Sequence, residues 1–175
     1  MEKIVFVDRD GVINVEKNYL YKIEDFEFID GVFDSFSYIL SLGYKIVIVT
    51  NQSGIGRGYY SYDDYIKLTK WIKSQFREQN IEILDIFCCP HTPEDNCNCR
   101  KPKIGMIDNL KEEYDIDFKN SWMIGDKSSD IEFAINAGIS NTIQVKSGHK
   151  FDEKKSKAKY VVESIKDVKD IIKKG

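Results

Sequence analysis

Short apolar runs alternate along the chain with longer segments whose apolar positions recur at helical spacing. Ile4–Val7 is hydrophobic without a break and predicts a strand buried on both faces. Residues 12–30 have no helical period and are rich in Tyr, Glu, Asp and Phe, so they predict a hairpin or flap beside the end of that strand. Val32, Phe33, Phe36, Ile39 and Leu40 share a helical face, and Gly43 stands where a helix stops. Residues 45–49 predict a second buried strand that runs into Thr50-Asn51. Ser61 and Asp64 have the spacing of a capping box, ahead of an amphipathic helix marked by Tyr65, Leu68, Thr69, Ile72 and Phe76. A third strand is predicted over 83–88, then a loop rich in Pro and Cys to about Lys103, then a helix over 105–114. A fourth strand follows at 121–124, a helix through Ile131, Ala134 and Ile135 closed by Gly138, and a fifth strand at 142–145. In the tail, 146–159 is polar and basic and reads as a loop, and Tyr160–Val162 reads as an edge strand. Ser164 with Asp167 would cap a last helix bearing Ile165, Val168, Ile171 and Ile172.

Strand–helix alternation of this kind predicts an α/β fold, a doubly wound parallel sheet with right-handed crossovers. The 175 residues suffice for a single domain, with a flap at about 12–30 and a Cys-rich loop at about 88–103. Only 39 residues separate Asp10 from Thr50, room for the flap and one helix but for no cap domain, so the fold is expected to be capless and its site open. An open site predicts a monomer. Hydrophobic residues make up 42% and charged residues 31%, and the net charge is −3, so there is no basic field to hold nucleic acid. No apolar run approaches the roughly 20 residues of a membrane span, and no signal-peptide core precedes Asp8 and Arg9, which predicts a cytoplasmic protein.

Three of the predicted strands end in polar residues: Asp8 and Asp10, Thr50 and Asn51, and Asp126. A parallel sheet places these ends on one edge, where open α/β sheets hold their ligands. Thr50-Asn51 or Gly125-Asp126 alone is ordinary turn chemistry, and Lys101 alone a solvated lysine; a shared edge is what gives them weight. Asp8 and Asp10, two apart on an extended segment, point to the same side. The reading that follows is phosphoryl transfer. Asp8 attacks phosphorus, and Asp10 protonates the leaving oxygen and later activates water. Asp8 and Asp126, with the main-chain oxygen of Asp10, hold Mg²⁺. The Thr50 hydroxyl and the backbone around Asn51 bind phosphoryl oxygens, and Lys101 meets the developing charge. All four cysteines lie between positions 88 and 99. Cys89, His91, Cys97 and Cys99 have the donor types and spacing of a closed, structural Zn²⁺ site, which would pin the loop and place Arg100 and Lys101 at the catalytic edge. Cys88 falls outside the spacing and is expected to face the core, with an exchange of roles between Cys88 and Cys89 left open.

Four segments resemble, in order, the motifs of haloacid-dehalogenase-like phosphatases. They are Val7-Asp8-Arg9-Asp10-Gly11-Val12, Val49-Thr50-Asn51, Arg100-Lys101-Pro102, and Gly125-Asp126-Lys127-Ser128-Ser129-Asp130. The resemblance implies the roles just given, and the second aspartate of the first motif separates phosphatases from dehalogenases. A zinc loop ahead of Arg-Lys-Pro is similar to one branch, the D-glycero-D-manno-heptose 1,7-bisphosphate 7-phosphatases and their histidinol-phosphatase relatives. Asn18-Tyr19, the stretch from Asp25 to Gly31, the stretch from Thr50 to Gly58 and Gly125-Asp126-Lys127 look more like the heptose enzymes, whereas the short loop between His91 and Cys97 is as in the histidinol branch. Both substrates therefore stay open. The heptose reading implies a sugar phosphate bound by Glu16, Lys17, Asn18, Tyr19, Thr50, Asn51, Gln52 and Ser53, and a product that feeds nucleotide-activated heptose for a bacterial cell-surface glycan. Arg100 and Lys127 are spare cations that suit a second phosphate; histidinol phosphate, with its cationic amine, would gain nothing from them. A non-catalytic binding protein on the same fold is the reading from another class.

Overall fold

The computed structural model describes residues 1–174. Its elements in chain order are β1 (Ile4–Val7), α1 (Val32–Ser41), β2 (Lys45–Asn51), α2 (Ser53–Gly56), α3 (Tyr62–Glu78) and β3 (Asp85–Cys89). Then come α4 (Asp108–Glu113), β4 (Trp122–Gly125), α5 (Ser128–Ala137), β5 (Asn141–Val145) and β6 (Tyr160–Val162). The six strands form one sheet in the order β3-β2-β1-β4-β5-β6, and every pairing is parallel. The chain leaves β1 toward β2 on one side and returns to β4 on the other, so the order reverses at β1 and a crevice opens above its C-terminal end.

Alternation along β1 divides the core. Val5 and Val7 join Ile46, Ile48 and Ile124 under α1 and α3, whereas Ile4 and Phe6 join Val47, Val49 and Met123 under α4 and α5. Both layers are closed to water, which fixes the register and hence the height at which each strand end stops. The capping box of α3 forms as its spacing predicts: Asp64 N–H donates to Ser61 Oγ at 3.0 Å, and Ser61 N–H to Asp64 Oδ2 at 2.9 Å.

The flap at 12–30 is tied down by short antiparallel pairing. Ile29 N–H donates to Ile13 O at 2.8 Å and Val15 N–H to Glu27 O at 2.9 Å, while Phe26 and Phe28 pack on Trp71 of α3. The ends of β2, β4 and β5 shift by one or two residues from the sequence reading, and three other elements differ more. β3 starts later and extends to Cys89, which is fully buried at the strand end. The helix expected over 105–114 is a 3-10 turn, Gly105–Ile107, followed by α4. The last helix is 3-10, Ile165–Asp170, and α1 ties down its start and the residues after it: Ser35 Oγ donates to Ile165 O at 2.9 Å and Tyr38 Oη to Ile172 O at 2.8 Å. Its Ile165 and Val168, with Ile172 beyond it, are nonetheless buried. β6 pairs with β5 at the sheet edge, where 160–162 is expected. Among the described residues, no helix is long and apolar enough to cross a membrane.

Candidate active site

β1, β2 and β4 end side by side, and the polar residues that follow them converge. One carboxylate oxygen each from Asp8, Asp126 and Asp130 lie within 4.8 Å of one another, all three residues buried. Lys101, 3% exposed, enters from the Cys-rich loop. Its Nζ donates to Asp8 Oδ1 at 2.9 Å, Asp130 Oδ1 at 2.7 Å and Val49 O at 2.8 Å. Asp130 is held in turn by the N–H groups of Asp126 and Lys127, both at 3.1 Å from its Oδ2. Three carboxylates thus crowd together, and the one ammonium among them bonds two. Burial, then the charges of Asp130 and Asp126, push Asp8 well above the usual carboxylate range against the pull of Lys101. Burial and Asp130 raise Asp126 to about 6.

The place is short of positive charge, and one atom shows where a cation fits. Asp126 Oδ2 accepts from His149 N–H at 2.9 Å and lies 2.7 Å from His149 Nδ1, whereas Asp126 Oδ1 is buried with no donor. An orphaned carboxylate oxygen beside two more acids suits a hard divalent ion. Gly11 is required here. Its φ is +88°, and a Cβ would stand 2.6 Å from Asp126 Oδ2.

Asp10 stands apart from this trio. Its Oδ1 accepts from Arg9 Nη2 at 3.1 Å and Asn14 Nδ2 at 3.0 Å, and its Oδ2 from Arg9 Nε at 3.2 Å and Gln52 Nε2 at 3.0 Å. Burial works to raise Asp10, but Arg9 and these hydrogen bonds outweigh it and hold the carboxyl below its ordinary value. As a metal ligand Asp10 therefore has only its main-chain oxygen to offer; the third carboxylate of the cluster is Asp130. Thr50 is buried, and its Oγ accepts from Gln52 Nε2 at 2.8 Å. Asn51 turns its amide onto the backbone of Lys101, accepting from Lys101 N–H at 3.0 Å and donating to Lys101 O at 3.3 Å. Its side chain positions the lysine rather than reaching out for a ligand.

A cavity of about 210 Å³ opens above these groups. The flap lines it with Glu16, Asn18 and Tyr19, the turn after β2 with Gln52 and Ser53, and the opposite rim with Arg100 and Lys127. Of the expected contacts, Thr50 lies below the lining at the end of β2, and Lys17 turns away from it. Its Nζ donates to Asp25 O at 2.8 Å and pairs with Glu27 at 3.4 Å, outside the cavity. The side chain follows the nearest acceptors on its own flap.

Cys89, His91, Cys97 and Cys99 also come together, with ligand atoms within 4.8 Å of one another. Cys89 Sγ lies 3.5 Å from Cys97 Sγ and from His91 Nδ1, and 2.8 Å from Cys99 Sγ; His91 Nδ1 lies 3.2 Å from Cys99 Sγ. Ligands at zinc distances on a tetrahedron stand roughly 3.5 Å apart, so three sulfurs and a nitrogen so placed suit a small soft cation. Desolvation works against Cys97, but N–H groups of Arg100 and Cys99 bring its thiol down to about 6. Cys88 is only half-buried and bonds Tyr65 from the other face of β3, so it is outside the cluster but not in the core proper.

The comparisons with known proteins agree with this geometry. A family model described as HAD-hydrolase-like matches residues 98–168. The D-glycero-alpha-D-manno-heptose-1,7-bisphosphate 7-phosphatase of Campylobacter jejuni is 50% identical over 143 residues, 82% of each chain. The D-glycero-beta-D-manno-heptose-1,7-bisphosphate 7-phosphatase of Pasteurella multocida is 41% identical and covers 99% of this chain and 98% of its own. The chain belongs to the heptose-1,7-bisphosphate 7-phosphatase family of haloacid-dehalogenase-like hydrolases. Among solved structures, the D,D-heptose 1,7-bisphosphate phosphatase of B. bronchiseptica, complexed with magnesium and phosphate, superimposes with a TM-score of 0.83 at 27% identity over 96% of both chains.

Set within that family, several residues of the site escape a reading of the sequence. Asp130 had a signal: it lies four residues after Asp126, at the first turn of α5, where a carboxylate caps the helix and can face the same edge. Arg9 and Tyr60 had none, because polar residues beside a motif are usually solvated. His149 comes from the tail loop, which carries no periodicity to place it.

Proposed function

We propose that this chain is a Mg²⁺-dependent phosphomonoesterase that removes the 7-phosphate of D-glycero-D-manno-heptose 1,7-bisphosphate, leaving heptose 1-phosphate. One observation carries the reading. The carboxylate of Asp8, bonded to the buried ammonium of Lys101, stands in a cavity rimmed by the unpaired cations Arg100 and Lys127.

Asp10 is an anion in the free site and takes up a proton from the incoming phosphate monoanion; Asp8 then attacks phosphorus, the bond from phosphorus to the sugar oxygen breaks, and that oxygen takes the proton from Asp10. Water then attacks the aspartyl-phosphate and gives its proton to Asp10, so phosphate leaves and Asp8 is restored. Thr50 Oγ already accepts from Gln52, so its own hydrogen is free to donate to a phosphoryl oxygen. Lys101 balances the charge that builds on the transferring group. Asp8, Asp126 and the main-chain oxygen of Asp10 would hold Mg²⁺, which neutralises the acids and the phosphate when bound. Cys89, His91, Cys97 and Cys99 would hold a structural Zn²⁺.

The second phosphate is met by Arg100 and Lys127. Arg100 Nη1 is buried without an acceptor, the condition of a guanidinium that awaits an anion. The α-anomer is the favoured substrate, since relatives named for it are 50% and 48% identical and relatives named for the β-anomer 45% and 41%.

Measured side by side with Mg²⁺, kcat/KM for the α-bisphosphate should exceed that for histidinol phosphate at least about 100-fold, from two charge-assisted bonds to the distal phosphate. Histidinol phosphate as the better substrate would reverse the assignment. Arg100→Ala should weaken turnover of the bisphosphate about tenfold more than that of an aryl phosphate; equal losses would place Arg100 away from the distal anion.

A further inference from the structure

Asp10 is gripped by a second layer that nothing in the reaction as described uses. Arg9, itself buried, forks onto both carboxylate oxygens and also donates from Nη2 to Leu20 O at 3.2 Å. Gln52, at the exit of β2, sits between the acid and the phosphoryl-binding hydroxyl: its Nε2 donates to Asp10 Oδ2 at 3.0 Å and to Thr50 Oγ1 at 2.8 Å. The other end of that amide is equally committed. Gln52 Oε1 accepts from the Tyr60 hydroxyl and, at 3.4 Å, from Arg9 Nη2.

This wiring permits only one orientation of the amide. Turned over, Gln52 would set its oxygen against the Asp10 carboxylate and its NH₂ against the Arg9 guanidinium, two repulsive contacts in a buried place. Tyr60 is a permanent donor, since burial raises its phenol far above neutrality. Its ring is fixed as well. It stacks on Tyr21 with centroids 5.3 Å apart, and it lies so close to Gly54 that a Cβ there would fall inside it.

We infer that Arg9, Gln52 and Tyr60 are positioning residues for proton transfer: Tyr60 and Arg9 lock the Gln52 amide, and Gln52 aims Asp10 and Thr50 together at the ester. The inference rests on Asp10 acting as acid and base. It adds that the aim of Asp10 is set by a tyrosine from the turn ahead of α3 that makes no bond to it. It also gives Gln52 a part beyond the sugar contact that the family resemblance implies.

Two esters of nearly equal shape test it. Phenyl phosphate needs a proton on its leaving oxygen far more than 4-nitrophenyl phosphate does, and kcat/KM reports the step in which that bond breaks. Tyr60→Phe and Gln52→Leu keep the hydrocarbon packing and lose only the hydrogen bonds. Each should lower kcat/KM about tenfold more on phenyl phosphate than on the nitrophenyl ester, with the loss in kcat and KM nearly unchanged. Arg9→Lys, which keeps the charge but loses the fork, should show the same bias. Equal losses on both esters in Tyr60→Phe and Gln52→Leu, or a change in KM alone, overturn the inference. Asp10→Asn serves as the reference. Equal loss on both esters in that variant would remove the acid–base reading of Asp10, and the inference with it. A bias in Asp10→Asn but in none of the other three would sink the inference alone.

Discussion

Asp8→Asn is expected to lower kcat by about 10⁴-fold or more while leaving the protein folded. The asparagine oxygen can still accept from Lys101, which bonds Asp8 Oδ1 in the native site, but an amide makes a poor nucleophile toward phosphorus. The same change relieves a crowd. Burial, Asp130 and Asp126 all oppose the charge on Asp8. A carboxyl whose pKa is raised on folding costs stability once the pH passes its unfolded value, and the cost grows until the folded value is reached. At neutral pH without divalent cation, the variant should therefore melt higher than the wild type. With Mg²⁺ the order should narrow or invert, since the ion stabilises the chain that offers it more charge. Phosphate release together with thermal melts in EDTA and in Mg²⁺ reads both effects. Activity within tenfold of wild type would falsify the nucleophile assignment, and an unchanged melting response to Mg²⁺ would take Asp8 out of the metal site.

Removing the proposed zinc should cost stability first and activity second. Residues 90–104 contain a single 3-10 turn and no fully buried apolar side chain, so the Cys/His cluster is what closes this stretch of chain. Lys101 follows Cys99 by two residues and then reaches Asp8 and Asp130 across the sheet edge. Cys97→Ser is expected to release about one equivalent of zinc and lower Tm by at least about 10 °C, given the several kcal/mol a structural zinc contributes. Activity should fall at least about tenfold as Lys101 loses its fixed approach. Asn51, which grips the Lys101 backbone from β2, keeps the loss from being complete. Cys88→Ser, on the opposite face of the strand, should keep its zinc. Purified protein without zinc, or a zinc-free variant with native Tm and activity, would argue that the four ligands merely pack.

The amino-acid sequence by itself determined the strands, the edge where their polar ends gather and the grouping of Cys89, His91, Cys97 and Cys99, while Asp130 joined Asp8 and Asp126 only in the structure. Each of the first three is written locally. An unbroken apolar run such as Ile4–Val7 can only be a buried strand, Asp8 must follow it at the rim, and Cys89, His91, Cys97 and Cys99 are near enough in the chain to find one another in almost any fold. What only the tertiary structure decided are the bonds between distant segments. Lys101 meets Asp8 across 93 positions of chain, His149 descends on Asp126 from the tail, Asn51 turns inward to Lys101, Lys17 turns away to Asp25, and Arg9 with Gln52 encloses Asp10. Hydrophobic periodicity records which face of an element is buried. Which polar groups meet once the faces close depends on strand order and register, and no single segment carries those.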